Sequence, residues 1–169
     1  MSKIKVVSSL ALLIAIIAPL WAAVSAYAGL ATGAAAMICA GLYVISGSKL
    51  ENAVKITLGL LGGNVWGFLV ISSLTLLGGG ISPYLLLFLV LFVFSALAVY
   101  ICLYLDKVFD LAAWLTGMAI SITILLLSDP ATHFTMLWHT AIAMIAGIWI
   151  IGVLTTQLHR RIVEPGNKK

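Results

Sequence analysis

Charge is scarce in this sequence. Only 8% of its 169 residues are charged and 63% are hydrophobic, whereas ordinary soluble domains carry about a quarter charged residues. So few polar side chains cannot cover the surface of a soluble protein of this size. The net charge of +4 does not indicate nucleic-acid binding, because the basic residues lie between and beyond apolar runs. The composition excludes a cytoplasmic enzyme and indicates an integral membrane protein.

Motifs that carry chemistry are also missing. The sequence has no Gly-rich phosphate loop, no His-Glu-x-x-His and no Gly-x-Ser-x-Gly, so it offers no recognised enzyme motif. No acidic or basic residue lies deep inside an apolar run, which leaves a proton relay without its usual groups. Cys39 and Cys102 have no paired spacing and are expected to pack as small apolar residues. We therefore expect no enzymatic activity and no cofactor.

Six apolar runs make up most of the chain. A membrane-spanning helix needs about 20 mostly apolar residues, with a usual range of about 17 to 25. The runs therefore predict an all-α fold, a polytopic membrane helix bundle with six transmembrane helices in a single domain over residues 1–169. They cover residues 4–24, 29–45, 56–77, 83–105, 111–127 and 135–158.

The basic residues predict the orientation of the chain. Cytoplasmic loops retain an excess of Lys and Arg, and an N-terminus on the inner side puts every Lys and Arg of the sequence on that side. Both termini are therefore predicted to be cytoplasmic, with a tail over residues 159–169. The residues concerned are Lys3, Lys5, Lys49, Lys55, Lys107, Arg160, Arg161, Lys168 and Lys169.

The N-terminal segment allows a second interpretation. Lys3 and Lys5 precede an apolar stretch over residues 6–18 and a small-residue triplet at 26–28, which is typical of a cleaved secretory signal. Cleavage would leave five helices. Because the apolar run continues beyond the usual signal length of about 7 to 15 residues, we expect the segment to remain as the first helix.

Polar residues mark several predicted helix starts. Ser48 and Glu51 have the spacing of a capping box, which predicts the start of the third helix at that point. Asp110 is a predicted N-cap of the fifth helix. Asp129, followed by Pro130, is the predicted N-cap of the sixth.

Two short patterns occur once in each half of the chain. A unit of three helices is odd in number, so a second copy would enter the membrane from the other side, as in inverted-repeat transporters. Two inverted halves, residues 1–78 and 79–158, are one interpretation, and shared membrane composition is the other. The matching patterns are Thr32-Gly33 with Thr116-Gly117, and Gly-Asn-Val-Trp at 63–66 with Ala-Gly-Ile-Trp at 146–149.

Glycines at four-residue spacing mark one face of the third helix. On such a face another helix backbone can approach closely, and packing inside the bundle is the favoured interpretation. The alternative is a surface for a partner protein. The predicted helix-packing positions are Gly59, Gly63, Gly67, Thr32, Gly33 and Gly117.

Asn64 lies beside this glycine face near the middle of its helix. An amide exposed to lipid would cost on the order of 1 to 3 kcal/mol, so Asn64 must face protein or water. It fits the lining of a solute path or a hydrogen bond to a neighbouring helix. Trp66 and Trp149, also central in their helices, fit either an aromatic constriction or a packed core.

The fifth and sixth helices supply the remaining candidates. Thr116 and Thr123 share one face, which fits a polar lining, although threonine hydroxyls also bond their own helix. His139 is a candidate gating or proton-linked group or an interfacial hydrogen-bonding histidine. Because His133 and His139 lie on different helix faces, we expect no metal site. The predicted pathway residues are Asn64, Trp66, Thr116, Thr123, His139 and Trp149.

A family resemblance runs over most of the chain. From Ile45 the sequence reads ISGSKLENAVKITLGLLGGNVWG, with a short span before it, a Gly-containing turn and a small-residue step before Trp66. With Thr116-Gly117 and the basic tail, this resembles the YcdZ-like family of small bacterial inner-membrane proteins of unknown function. The resemblance implies a bacterial inner-membrane location and this architecture, and it carries over no catalytic residue.

These observations favour two functional hypotheses. The first is a channel or facilitator for a small uncharged solute, formed within a protomer or between protomers of a homo-oligomer. The second is a membrane structural or assembly subunit whose glycine face packs against a partner protein. The expected partners are the lipid bilayer and, for the first hypothesis, the solute; nucleic acid is not among them.

Overall fold

The computed structural model is all-α over the residues that it describes, which are 3–78 and 82–163, with the backbone alone for 3–10. This confirms the predicted fold class. Residues 79–81, the tail residues Lys168 and Lys169, and the side chains of Lys3 and Lys5 lie outside the described part. The elements are α1 (Lys3–Tyr27), α2 (Ala35–Ile45), α3 (Leu50–Leu77), α4 (Pro83–Tyr104), α5 (Leu111–Leu126), a 3₁₀ turn (Pro130–Thr132), α6 (His133–Ala146), a π segment (Gly147–Leu154) and α7 (Thr155–Val163).

The last four elements form one continuous C-terminal rod, Pro130–Val163, of 34 residues. By length and composition, α3, α4 and this rod can each cross a membrane. The apolar helices Ala11–Tyr27, Ala35–Ile45 and Leu111–Leu126 are shorter. A hydrocarbon core is about 30 Å thick, whereas the 11 residues of α2 rise about 16 Å. Three of the six predicted spans are therefore helices long enough to cross a membrane. The full count of six stays a prediction.

The start of α2 differs from the predicted run at residue 29. Gly29 has a φ of +75°, which ends α1 in the left-handed region where glycine is favoured. The next residues make tight turns, with the Ala35 and Ala36 nitrogens bonded to the carbonyls of Thr32 and Gly33 at 3.0 and 3.2 Å. The chain therefore needs residues 29–34 to reverse direction, and α2 begins at Ala35.

The predicted capping box at Ser48 and Glu51 is wrong. Lys49 is the N-cap of α3, without a side-chain cap bond. Gly47 and Ser48 have φ values of +89° and +55°, and the Ser48 nitrogen donates to the Tyr43 carbonyl at 3.3 Å. This is the hydrogen-bond pattern of a Schellman motif, so Ser48 belongs to the end of α2.

The cap predicted at Asp110 is confirmed, whereas Asp129 caps the 3₁₀ turn that leads into α6 and the N-cap of α6 itself is Thr132. The side chain of Asp110 accepts a hydrogen bond from the Ala113 nitrogen at 2.8 Å, at the start of α5. Asp129 accepts from the Ala131 nitrogen at 2.9 Å, just ahead of the sixth helix. Each bond satisfies a donor that the first helical turn leaves free.

Helix packing follows a crossed pattern. The most extensive contacts join α3 to α5 and the π segment to α2. Helix α4 packs against α3 and α5, whereas α1 packs against the C-terminal rod. The rod and α3 contact each other between these groups, and the main core lies there, with Tyr43, Ile56, Leu60, Met144 and Ile148 at its centre.

Candidate functional site

The glycine face of α3 lies directly against α5. A Cβ at Gly59 would lie 2.7 Å from the carbonyl oxygen of Asp110, and one at Gly67 would lie 2.7 Å from the Cβ of Ser121. A Cβ at Gly63 would overlap the carbonyl oxygen of Trp114. The two backbones approach too closely for any side chain at these positions, so α5 of the same chain covers the glycine face.

Gly117 and Gly33 make comparable close approaches. A Cβ at Gly117 would collide with the carbonyl oxygen of Leu60 on α3, so the α3–α5 contact relies on glycine from both sides. A Cβ at Gly33 would collide with the Ser25 hydroxyl, which is buried at the end of α1. Gly33 therefore closes the turn between α1 and α2 and does not join two long helices.

Asn64 is 2% exposed and ties three helices together. Its Nδ2 donates to the carbonyl oxygen of Leu137 on α6 at 3.0 Å. Its Oδ1 accepts from the hydroxyl of Ser121 on α5. The amide thus has partners on both sides within the bundle, and it lines none of the larger cavities described below. Sequence reasoning did not identify Ser121; the four-residue step from Gly117 to Ser121 was the available signal.

Trp66 lies on the α4 side of α3. Its indole N–H donates to the carbonyl oxygen of Phe94 at 2.9 Å. Its ring makes edge contacts with Phe94 and Trp114, with centroid distances of 5.5 and 5.6 Å. The side chain is therefore part of a packed aromatic cluster.

Trp149 lies elsewhere, in the π segment. It is 37% exposed, and its indole N–H donates to the hydroxyl of Thr57 at 3.2 Å. Thr57 precedes Trp66 by nine positions on α3, a rise of about 13 Å. The two tryptophans occupy separate surroundings and do not form a common constriction.

A groove between α2 and α5 does bring predicted residues together. It has a volume of about 540 Å³ and is open along one side. Thr32, Thr116 and Thr123 supply its hydroxyl-bearing residues. The rest of its wall is alanine and isoleucine: Ala31, Ala34, Ala35, Ile38, Ala119, Ile120 and Ile124.

The three threonines differ in their hydrogen bonding. Thr116 donates to the carbonyl of Ala112 at 2.7 Å, and Thr123 donates to that of Ala119 at 2.9 Å. Thr32 is 6% exposed, and its hydroxyl has no partner among the described residues. A buried hydroxyl left unpaired costs on the order of 1 to 3 kcal/mol. Thr32 was predicted only as a packing residue. Among the described residues that line the groove, it is the one whose buried hydroxyl lacks a hydrogen-bond partner.

His139 is half-buried on α6, and its Nδ1 has no partner among the described residues. It does not line the α2–α5 groove. His133, six residues earlier, borders a separate cleft of about 560 Å³ with Ser72 and Thr75 of α3. Within the described part of the chain, no group of three His, Cys, Asp or Glu side chains has the arrangement to hold a metal ion.

The comparisons with known proteins give one match. A family described as "Protein of unknown function (DUF1097)" matches residues 11–160, which cover every described helix except the ends of the first and last. No curated protein and no solved structure matches the chain. The expectation of an uncharacterised family is confirmed, while the narrower resemblance to the YcdZ-like proteins stays a prediction. The chain belongs to the DUF1097 family.

Proposed function

We propose that this protein is a passive membrane pathway for a small uncharged solute and that the solute moves along the α2–α5 groove. The observation that carries the proposal is the composition of the groove: hydroxyl-bearing threonines at intervals along an otherwise apolar wall of small and branched residues. Such a wall holds a few polar groups at defined places in a mostly apolar site, as small-molecule sites generally do.

The position of the groove between the two halves of the chain supports the proposal. Helix α3 of the first half packs against α4 and α5 of the second, and the rod of the second half packs against α1 and α2 of the first. Exchange of the halves reproduces this pairing, as an inverted repeat requires. In the proposed repeat α2 and α5 correspond to each other, so the groove between them would lie at the boundary of the two proposed halves, the usual place for solute sites in inverted-repeat proteins.

The charge of the wall selects the class of solute. Among the described residues that line the groove, none is Asp, Glu, Lys, Arg or His. An ion moved into an apolar environment without a counter-charge costs far more than an uncharged polar molecule. We therefore assign the pathway to uncharged solutes.

The open side of the groove needs a second wall. In a monomer that wall would be lipid, which offers no hydrogen bonds to a polar solute. We propose that a second copy of the chain closes the groove, so that the active form is a homo-oligomer. The proposed location is the bacterial inner membrane with both termini cytoplasmic; a tag after Lys169 that is reachable only from outside the cell would contradict that orientation.

The assembly-subunit alternative depended on a glycine face open to a partner. Helix α5 covers Gly59, Gly63 and Gly67 within the chain, so this face no longer supports that role. A partner that remains bound at fixed stoichiometry after gentle detergent extraction would restore the alternative.

Osmotic flux into liposomes tests the proposal. Purified protein is reconstituted, and light scattering follows volume recovery after exposure to urea, acetamide, glycerol or sodium chloride. We expect faster recovery than in protein-free liposomes for at least one uncharged osmolyte and no gain for the salt. Equal rates with and without protein for every osmolyte would contradict a pathway.

A further inference from the structure

The groove wall on α5 offers hydrogen-bond acceptors. Thr116 and Thr123 each give their hydroxyl hydrogen to a carbonyl of their own helix, those of Ala112 and Ala119. A hydroxyl that has donated its hydrogen still has lone pairs that accept. A solute in the groove therefore meets acceptors at two levels, which are seven residues or about 10 Å apart along α5.

The wall on the α2 side offers a donor. The Thr32 hydroxyl has no partner among the described residues, although its side chain borders the groove. Its oxygen is enclosed, so an acceptor in the groove reaches this hydroxyl only if χ1 moves to another staggered well. No hydrogen bond to a described residue opposes that rotation, and solute binding by Thr32 requires it.

The remaining wall excludes solutes with many polar groups. The other residues lining the groove are alanines and isoleucines, which can pair with no hydroxyl of a polyol. Polar groups that lose water without gaining a partner oppose binding. A fitting solute has one acceptor, one or two donors on the same end and an apolar remainder.

We propose that the groove selects short-chain aliphatic primary amides. The amide carbonyl accepts from Thr32, the amide N–H donates to Thr116 or Thr123, and the alkyl tail contacts the isoleucines. The two α5 threonines are too far apart for one amide to reach both, so the amide engages them in turn. This assignment rests on the proposed pathway and names its solute class.

Flux of acetamide against glycerol tests the assignment in proteoliposomes. For each solute, the rate in protein-free liposomes is subtracted to give the protein-dependent rate. Thr32→Val removes the hydroxyl and keeps the shape, and Thr32→Ser restores a hydroxyl. Thr75→Val is the matched control, because the Thr75 hydroxyl bonds its own helix at 3.0 Å and lies outside the groove.

We expect a protein-dependent rate for acetamide at least about tenfold that for glycerol, the ratio that one unpaired polar group typically produces. Thr32→Val should remove most of the acetamide gain, while Thr32→Ser and Thr75→Val keep it. Equal gains for both solutes, or an unchanged acetamide rate in Thr32→Val, would overturn the amide assignment and leave the pathway standing. If Thr32→Val does not fold, the double variant Thr116→Val with Thr123→Val replaces it under the same criteria. No protein-dependent rate for any solute would overturn the pathway itself.

Discussion

The side-chain amide of Asn64 donates a hydrogen bond to the backbone carbonyl of Leu137 at 3.0 Å. With the Ser121 hydroxyl bonded to its oxygen, this amide fastens α3 to both α5 and α6 at the centre of the bundle. A polar residue in mid-helix is therefore explained by its partners inside the protein.

Replacement of Asn64 by leucine should destabilise the fold. The substitution leaves the Ser121 hydroxyl without its buried partner, which costs about 1 to 3 kcal/mol. We expect a lower thermal midpoint for Asn64→Leu than for the wild type. Size-exclusion chromatography of heated samples in detergent measures this midpoint. The double variant Asn64→Leu with Ser121→Ala should recover part of the loss. An unchanged midpoint together with altered solute flux would instead identify Asn64 as a lining residue.

Alanine at Gly63 should disrupt the α3–α5 contact. Its methyl group would overlap the Trp114 carbonyl oxygen, and overpacking of this kind costs about 1 to 3 kcal/mol. Gly41→Ala on α2 is the control, because nothing lies within 4 Å of a Cβ there. We expect Gly63→Ala to lower the thermal midpoint and Gly41→Ala to cause no loss. Equal midpoints for the two variants would show that the close approach is absent in solution.

Phenylalanine at either central tryptophan should leave solute flux intact. Trp66 bonds Phe94 within an aromatic cluster, and Trp149 bonds Thr57, so neither side chain narrows the groove. We expect solute flux through Trp66→Phe and Trp149→Phe to stay within about twofold of the wild-type flux. Each substitution removes one hydrogen bond, worth about 0.5 to 1.5 kcal/mol of stability, and leaves the residues that line the groove unchanged. A large gain or loss of flux in both variants would restore the aromatic constriction.

Removal of Asp110 and removal of Glu51, which both lie at helix starts, should have unequal effects. Asp110 caps α5 through the Ala113 nitrogen, and loss of such a cap costs about 0.5 to 2 kcal/mol. Glu51 makes no cap bond to the start of α3. We expect Asp110→Ala to lower the thermal midpoint and Glu51→Ala to leave it unchanged. A comparable loss in Glu51→Ala would reinstate the capping box.

The sequence predicts the helices well because a helix that crosses a membrane needs an apolar run of matching length. Predicted and observed ends agree closely for the fourth and fifth helices, residues 83–105 and 111–127 against Pro83–Tyr104 and Leu111–Leu126. The start of α2 was harder to predict from the sequence, because residues 29–34 are apolar in composition but form a turn that begins at Gly29. Hydropathy alone does not distinguish an apolar turn from an apolar helix.

The candidate site was only partly predictable. The shared face of Thr116 and Thr123 follows from helical spacing, and both line the groove. The partner of Asn64 does not follow, because it is a backbone carbonyl 73 positions away and every residue has such a carbonyl. Whether Thr32 belongs to a packing contact or to the groove depends on how α2 lies relative to α5, which no local pattern encodes.

Obstruction of the groove tests the central claim most directly. Ala119 is exposed within the groove wall, so tryptophan there fills the groove without entering the core. Ala96→Trp, at an exposed position on α4, adds the same side chain outside the groove. In osmotic flux measurements on proteoliposomes, we expect Ala119→Trp to lower the protein-dependent rate to that of empty liposomes and Ala96→Trp to retain the wild-type rate. Wild-type flux in Ala119→Trp would contradict a pathway along α2 and α5.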